Sequence, residues 1–169
     1  VFDQEAQPAN STSGLQVGLS VPHVSADDNP RSRLSRSGIG LVMQHEDALL
    51  NKGQDWEHSG VMEVRQGLPP RWHAQACWLK PASLVRAWLA HPGIVFTGSA
   101  KVAALVRDGD HWLLHDHRGQ VLGRFALVVV ANAGASAALL QQAPDGVRLG
   151  ADLQDKLNSL QAVHGTLSL

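Results

Sequence analysis

The stretch that most constrains this chain is Gly119–Leu140, GQVLGRFALVVVANAGASAALL, and above all its centre, Phe125–Ala131. An unbroken apolar run rich in β-branched residues, with no polar alternation, is the pattern of a strand covered on both faces, as in a parallel sheet. Asn132, Ala133 and Gly134 then supply a tight turn, and ASAALLQQ opens a helix. A strand that delivers small residues to a helix start leaves backbone N–H groups pointing outward, so a phosphate or nucleotide can approach closely. The same junction occurs in α/β proteins that bind nothing there, so it predicts a fold class before it predicts a ligand.

Length and charge narrow the classes. The chain has 169 residues, 44% of them hydrophobic and 17% charged, which is a globular balance with enough residues for a real core. A formal net charge of -1 gives no global field toward nucleic acid or a lipid surface; an RNA partner would need a local patch or another domain. Cys77 is the single cysteine, which rules out an intramolecular disulfide framework and points to a reducing compartment, with the cytoplasm expected. No apolar run approaches the roughly 18 residues of a membrane span. The opening residues Val1-Phe2-Asp3 read as the end of a strand whose beginning is missing, which predicts a fragment of a longer domain.

Along the chain, Pro8–Gly14 is a small polar loop able to wrap a ligand or simply to move, and Val17–Val21 is a short strand ended by Pro22. Asp27-Asp28-Asn29-Pro30 is a helix start, with an apolar stripe from Leu34 to Leu50; Gly38 and Gly40 predict a close helix contact or a break. Arg31, Arg33 and Arg36 form a basic cluster, either an anion contact or a solvated helix face. Gly60–Val64 is a strand, residues 65–77 a loop, and Pro81–Leu89 a helix stopped by Pro92-Gly93. Ile94–Thr97 is a short buried strand. Residues 102–107 and 111–115 form a hairpin turning at Asp108-Gly109-Asp110, His117-Arg118-Gly119 leads into the next strand, and 157–169 is a strand.

Site chemistry is sparse. His111, His115 and His117 share parity, but strand residues four apart lie more than about 10 Å apart, so they do not converge on a metal; no metal site is expected. No P-loop, nucleophile elbow or paired carboxylate is present. Cys77 and the five tryptophans are expected to pack in the core. Asp3, at a strand end, suits ribose hydroxyls, because a carboxylate only accepts hydrogen bonds and a diol donates two.

Five stretches together carry a family resemblance. STSGLQVGLSVP keeps Ser13, Gly14, Gly18, Leu19 and Pro22 of a G-A-S-G-N-x-x-G-L-x-x-P flavin loop, and ACWLKPASL keeps Trp78, Leu79, Pro81 and Leu84 of GGWL-x-P-x-x-L. Gly60, Val61 and Val64 match GVxxV. DGDHWLL followed by VVVANAG matches D-x-x-W-x-L and VVVLANG, and HGTLS matches R-G-Q-x-S. The chain thus resembles the flavin-dependent amine oxidoreductases of D-amino-acid oxidase and glycine oxidase type, more narrowly the C-terminal oxidoreductase domain of bifunctional enzymes that modify the tRNA wobble uridine. The resemblance implies an α/β fold (an α+β fragment), part of an FAD-binding Rossmann-like domain with an inserted β-meander. Residues 1–25 and 93–150 would form the flavin-binding portion, and 26–92 with 151–169 the substrate side.

It further implies FAD as cofactor, with Asp3 at the adenosine ribose and Ser13, Gly14 and Gly18 near the pyrophosphate or flavin. Val102 would meet adenine through its backbone, Ala131, Asn132 and Ala133 would make a second dinucleotide turn, and Trp78 and His164 would face substrate. Partners would be tRNA and an upstream methyltransferase domain; no catalytic residue is assigned. The chain departs from the pattern in lacking the GxGxxG strand, in carrying Ser11, Thr12 and Leu15 within the flavin loop, and in placing His164 where the family has Arg. The segment before Trp78 is also shorter. These departures predict that the chain alone binds FAD poorly. A glycine or D-amino-acid oxidase, or a binding module that has lost its flavin, are the alternative readings.

Overall fold

The computed structural model describes residues 1–141 and 151–159. It is a mixed α/β fold in two compact units, one of Val1 with Glu5–Gly98 and one of Phe2–Gln4 with the chain from Ser99 onward. Every pairing between its strands is antiparallel, so no parallel doubly wound sheet forms among the described residues.

In the first unit, β1 (Gly18–Ser20), β2 (Trp56–Glu57) and β5 (Cys77–Leu79) form a sheet of order β1-β5-β2, while β3 (Val61–Glu63) and β4 (Arg71–His73) make a separate hairpin. Strand β4 falls inside the stretch expected to be a loop. Its two prolines, Pro69 and Pro70, sit before the strand, where their missing N–H groups cost no ladder bond.

Helix α1 (Pro30–Leu49) starts as its sequence dictates: Pro30 takes the first turn and the Asn29 side chain accepts from the Ser32 N–H at 3.1 Å. Ser32 Oγ in turn meets Ser25 Oγ at 2.8 Å and His23 Nδ1 at 3.0 Å, fastening the preceding loop to the helix. Gly38 and Gly40 neither break the helix nor face a neighbour, contrary to expectation. The apolar stripe is buried only in part, through Val42 and Leu50. Ser32 and Glu46 are fully buried, whereas Leu34 and Leu41 are exposed; polar residues meet partners inward that the leucines do not have. Of the arginine cluster, Arg36 pairs with Asp28 at 2.6 Å.

Helix α2 (Pro81–Leu89) forms as predicted and buries Leu84 against Trp56 and Leu79, with Val42 and Leu50 packed around them. Trp88 and Trp72 are exposed rather than core residues; the Trp88 indole N–H donates to His45 Nδ1 at 3.0 Å. Ile94–Thr97 forms no strand of its own, and Ile94 and Val95 are exposed.

The second unit is built on the predicted meander, β6 (Ala104–Asp108), β7 (His111–His115) and β8 (Val121–Phe125) in that order. Asp108 faces His111 across a two-residue turn in which Gly109 takes φ +57, a backbone state that disfavours a side chain. Leu105 and Leu114 are cross-strand neighbours and form the core with Leu139 of α3 (Ser136–Gln141), joined by Phe2, Val102, Trp112, Leu122, Val128, Val130 and Leu140.

The central expectation fails here. Strand β8 ends at Phe125, and residues 126–131 are neither strand nor doubly buried. Val128 and Val130 reach the core, while Leu127 and Val129 are 78% and 81% exposed. No described residue makes a backbone hydrogen bond to 126–131. Helix α4 (Ala151–Asn158) includes Leu157 and Asn158, which had been expected in a strand; 160–169 lie outside the described residues.

Candidate functional site

The second unit brings together Asp3, Val102 and the 131–133 turn. Phe2, beside Asp3, shares the Leu105–Leu114–Leu139 core with Val102, Val128 and Val130, and its ring meets Phe125 edge-on at 5.7 Å. The Asp3 carbonyl accepts from the Ala100 N–H at 2.8 Å, which fixes the backbone behind its carboxylate. Asn132 leads into a 3-10 turn, Ala133–Ala135, and then α3, so the turn and helix follow as expected while the strand before them does not form. The Asn132 N–H is engaged by Ser136 Oγ at 3.1 Å. Ala133 sits at φ +48, held in a left-handed state, and a side chain at Gly134 would meet nothing within 4 Å. Ala131, Asn132 and Ala133 are all exposed. The turn is made of small, exposed residues, and its first N–H is already engaged by Ser136.

The first unit holds Ser13, Gly14, Gly18 and Trp78. Thr12–Gly14 is a 3-10 turn packed on α2, and Leu19 pairs with Trp78 in the β1–β5 ladder. Both glycines have local reasons. A Cβ on Gly14 would lie 2.7 Å from the Ala9 carbonyl oxygen, and one on Gly18 would lie 3.0 Å from Pro81 Cγ. Their smallness is thus accounted for by chain packing, with or without a flavin. His164 falls outside the described residues.

Asp3, the Val102 backbone and the small-residue turn are of the chemical types that could receive the adenosine and phosphate part of a dinucleotide, with the Asn132 N–H already engaged by Ser136. The 169 residues contain no GxGxxG, and the glycines of the flavin loop are occupied by packing. Among the described residues no group of three or more His, Cys, Asp or Glu could hold a metal, and no helix is long and apolar enough to cross a membrane.

One pair was missed by sequence reasoning. Glu46 is fully buried, and the Cys77 thiol donates to its Oε2 at 3.5 Å. Burial pushes the Glu46 carboxyl above its usual range, opposed by the Cys77 hydrogen bond and by His58. Burial and then the neighbouring Glu46 push the Cys77 thiol up to about 11, so it is a packing residue and no nucleophile. A polar residue at helical spacing within an apolar stripe gave no signal, because the register of burial depends on what α1 packs against. Because the folded-state value of Glu46 lies above the unfolded one, its contribution is present at low pH and lost as pH rises through that value. Glu46→Gln keeps the shape without the charge. Urea melts of this variant should show a flatter dependence on pH and greater stability than the parent on the alkaline side; matching slopes for the two proteins would refute this.

No family model matches the chain. It is similar to proteins described as tRNA 5-methylaminomethyl-2-thiouridine biosynthesis bifunctional protein MnmC. With that of Albidiferax ferrireducens it is 57% identical over 144 residues, covering 83% of this chain and 24% of the relative. With that of Polaromonas naphthalenivorans it is 37% identical over 207 residues, covering 99% of this chain and 31% of the relative. With that of Verminephrobacter eiseniae it is 38% identical over 184 residues, covering 83% and 30%. The chain thus spans 24% to 31% of the length of these relatives.

Proposed function

Because the chain is homologous to a segment of the MnmC proteins, we propose that it supplies part of a flavin-dependent oxidoreductase domain that acts on a modified wobble uridine of tRNA. The observation that carries this reading is the 57% identity over 144 residues; the turn and helix after Asn132 are in keeping with it. The reaction is oxidative removal of the carboxymethyl group from 5-carboxymethylaminomethyl-2-thiouridine. The C–N carbon next to the secondary amine is oxidised, water hydrolyses the resulting imine, and glyoxylate leaves while the primary amine stays on the nucleoside. FAD, when bound, supplies the two-electron acceptor.

The chain's own residues bind and orient. Asp3 would accept from the ribose hydroxyls, the Val102 backbone would lie against adenine, and the turn at Ala131, Asn132 and Ala133 would receive the dinucleotide. Trp78 borders the substrate side, as does His164. A tRNA substrate and a methyltransferase domain in the same polypeptide complete this reading, in the cytoplasm.

The test uses a longer natural protein that contains this segment. Incubation with tRNA bearing the carboxymethylaminomethyl group should release glyoxylate and reduce bound flavin; preference for free glycine or sarcosine would favour a small-molecule amine oxidase instead. A second reading, a non-catalytic module, is favoured by the packing roles of Gly14 and Gly18. For the 169-residue chain alone, weak or no FAD binding is expected, and flavin absorbance that co-elutes with it in gel filtration would overturn that expectation.

A further inference from the structure

We infer that His45 and Trp88 form a pH-sensitive clasp between α1 and α2, closed while the imidazole is neutral and opened by acid. The Trp88 indole N–H meets His45 Nδ1 at 3.0 Å, and the two rings stand edge-on, 5.8 Å between centroids and 84° between planes. An indole nitrogen only donates, so Nδ1 presents its lone pair and the imidazole proton sits on Nε2. An imidazolium carries a proton on both nitrogens. Taking up a proton therefore sets N–H against N–H, at the edge of the indole ring, which is the positive side of its quadrupole. The bond is present above the range in which imidazole titrates and is lost as pH falls through it.

No opposite charge holds the protonated ring in place. His45 is exposed and makes no ion pair among the described residues, and neither does Asp47 on the same helix or Arg86 on α2. His91, at the end of α2, is engaged elsewhere, its Nδ1 accepting from the Gly93 N–H at 3.1 Å. From the sheet side, Cys77 and His58 act on Glu46, one residue further along α1. Glu46 is the reason that acid opens a clasp and does not lift the helix. It is fully buried and its contribution is present at low pH, while Val42 and Leu50, which do not titrate, stay packed on Trp56, Leu79 and Leu84. Two adjacent residues thus seat α1 with opposite pH sense, His45 on α2 and Glu46 against β5, and both hold only between their two ranges.

The experiment is proton–nitrogen NMR of the 169-residue chain between about pH 8 and about pH 5, the span in which imidazole changes charge. Its five tryptophans give separate indole N–H signals, and Trp88→Phe identifies the one from residue 88. At the upper end the His45 ring, identified by its contact with Trp88, should carry its proton on Nε2, as its ring nitrogen shifts report. On acidification the Trp88 signal should move toward that of a free indole, the closed-to-open ratio falling roughly 2- to 10-fold, the weight of an ordinary hydrogen bond. In His45→Asn, whose Oδ1 still accepts but does not titrate, that signal should stay where it is. An Nδ1–H tautomer in the neutral parent, a Trp88 signal unmoved by acid, or the same movement in His45→Asn overturns the proposal. The tautomer and the Trp88 titration are read on the parent itself, so they decide even where the Asn variant fails to fold.

Discussion

Trp56→Ala should destabilise the first unit by about 3–5 kcal/mol, the range for deleting a large buried aromatic side chain. Trp56 is buried against Leu79 and Leu84, with Val42 and Leu50 at its margins, so truncation opens a cavity at the one place where α1, α2 and the β1-β5-β2 sheet share apolar contact. Small units have little stability to spare, roughly 0.05–0.15 kcal/mol per residue, so the loss is comparable to the whole. The informative control is Trp56→Phe. The Trp56 indole N–H is buried with no hydrogen-bond partner among the described residues, so the phenyl ring gives up volume but also removes an unsatisfied donor. Denaturant melts should therefore show a much smaller loss for Trp56→Phe than for Trp56→Ala. Equal losses would mean that the N–H has a partner or that ring size alone decides.

The other large effect concerns association. A six-residue run with no backbone hydrogen bond to any described residue, and with Leu127 and Val129 exposed, is a template for pairing with another chain. The isolated 169-residue chain should self-associate, and the double change Leu127→Lys with Val129→Lys should return it to a monomer in sedimentation velocity. Neither residue belongs to the core, so the double variant should melt at nearly the parent temperature. A parent that is monomeric at high concentration would show that this edge is covered by other means.

Local chemistry was legible wherever neighbours in sequence decide the outcome. Asn29-Pro30 starts α1, Pro81 starts α2, and Asp108-Gly109-Asp110 turns the β6–β7 hairpin, each within one turn of chain. The turn from Asn132 to Ser136 was equally readable, because small residues followed by a helix former leave few alternatives.

What the amino-acid order by itself determined is therefore the set of local starts, stops and turns, and through its motifs the relationship to the MnmC proteins. Only the tertiary structure decided which faces are buried. Leu34 and Leu41 lie outward while Ser32 and Glu46 lie inward, Trp72 stands in solvent while Trp56 is enclosed, and 126–131 is covered by described residues on one side alone despite a composition suited to cover on both. The physical reason is that periodicity states only that a face is apolar, whereas burial requires a second surface to meet it. That surface comes from residues distant in sequence, and for 126–131 the described residues supply it on one side alone.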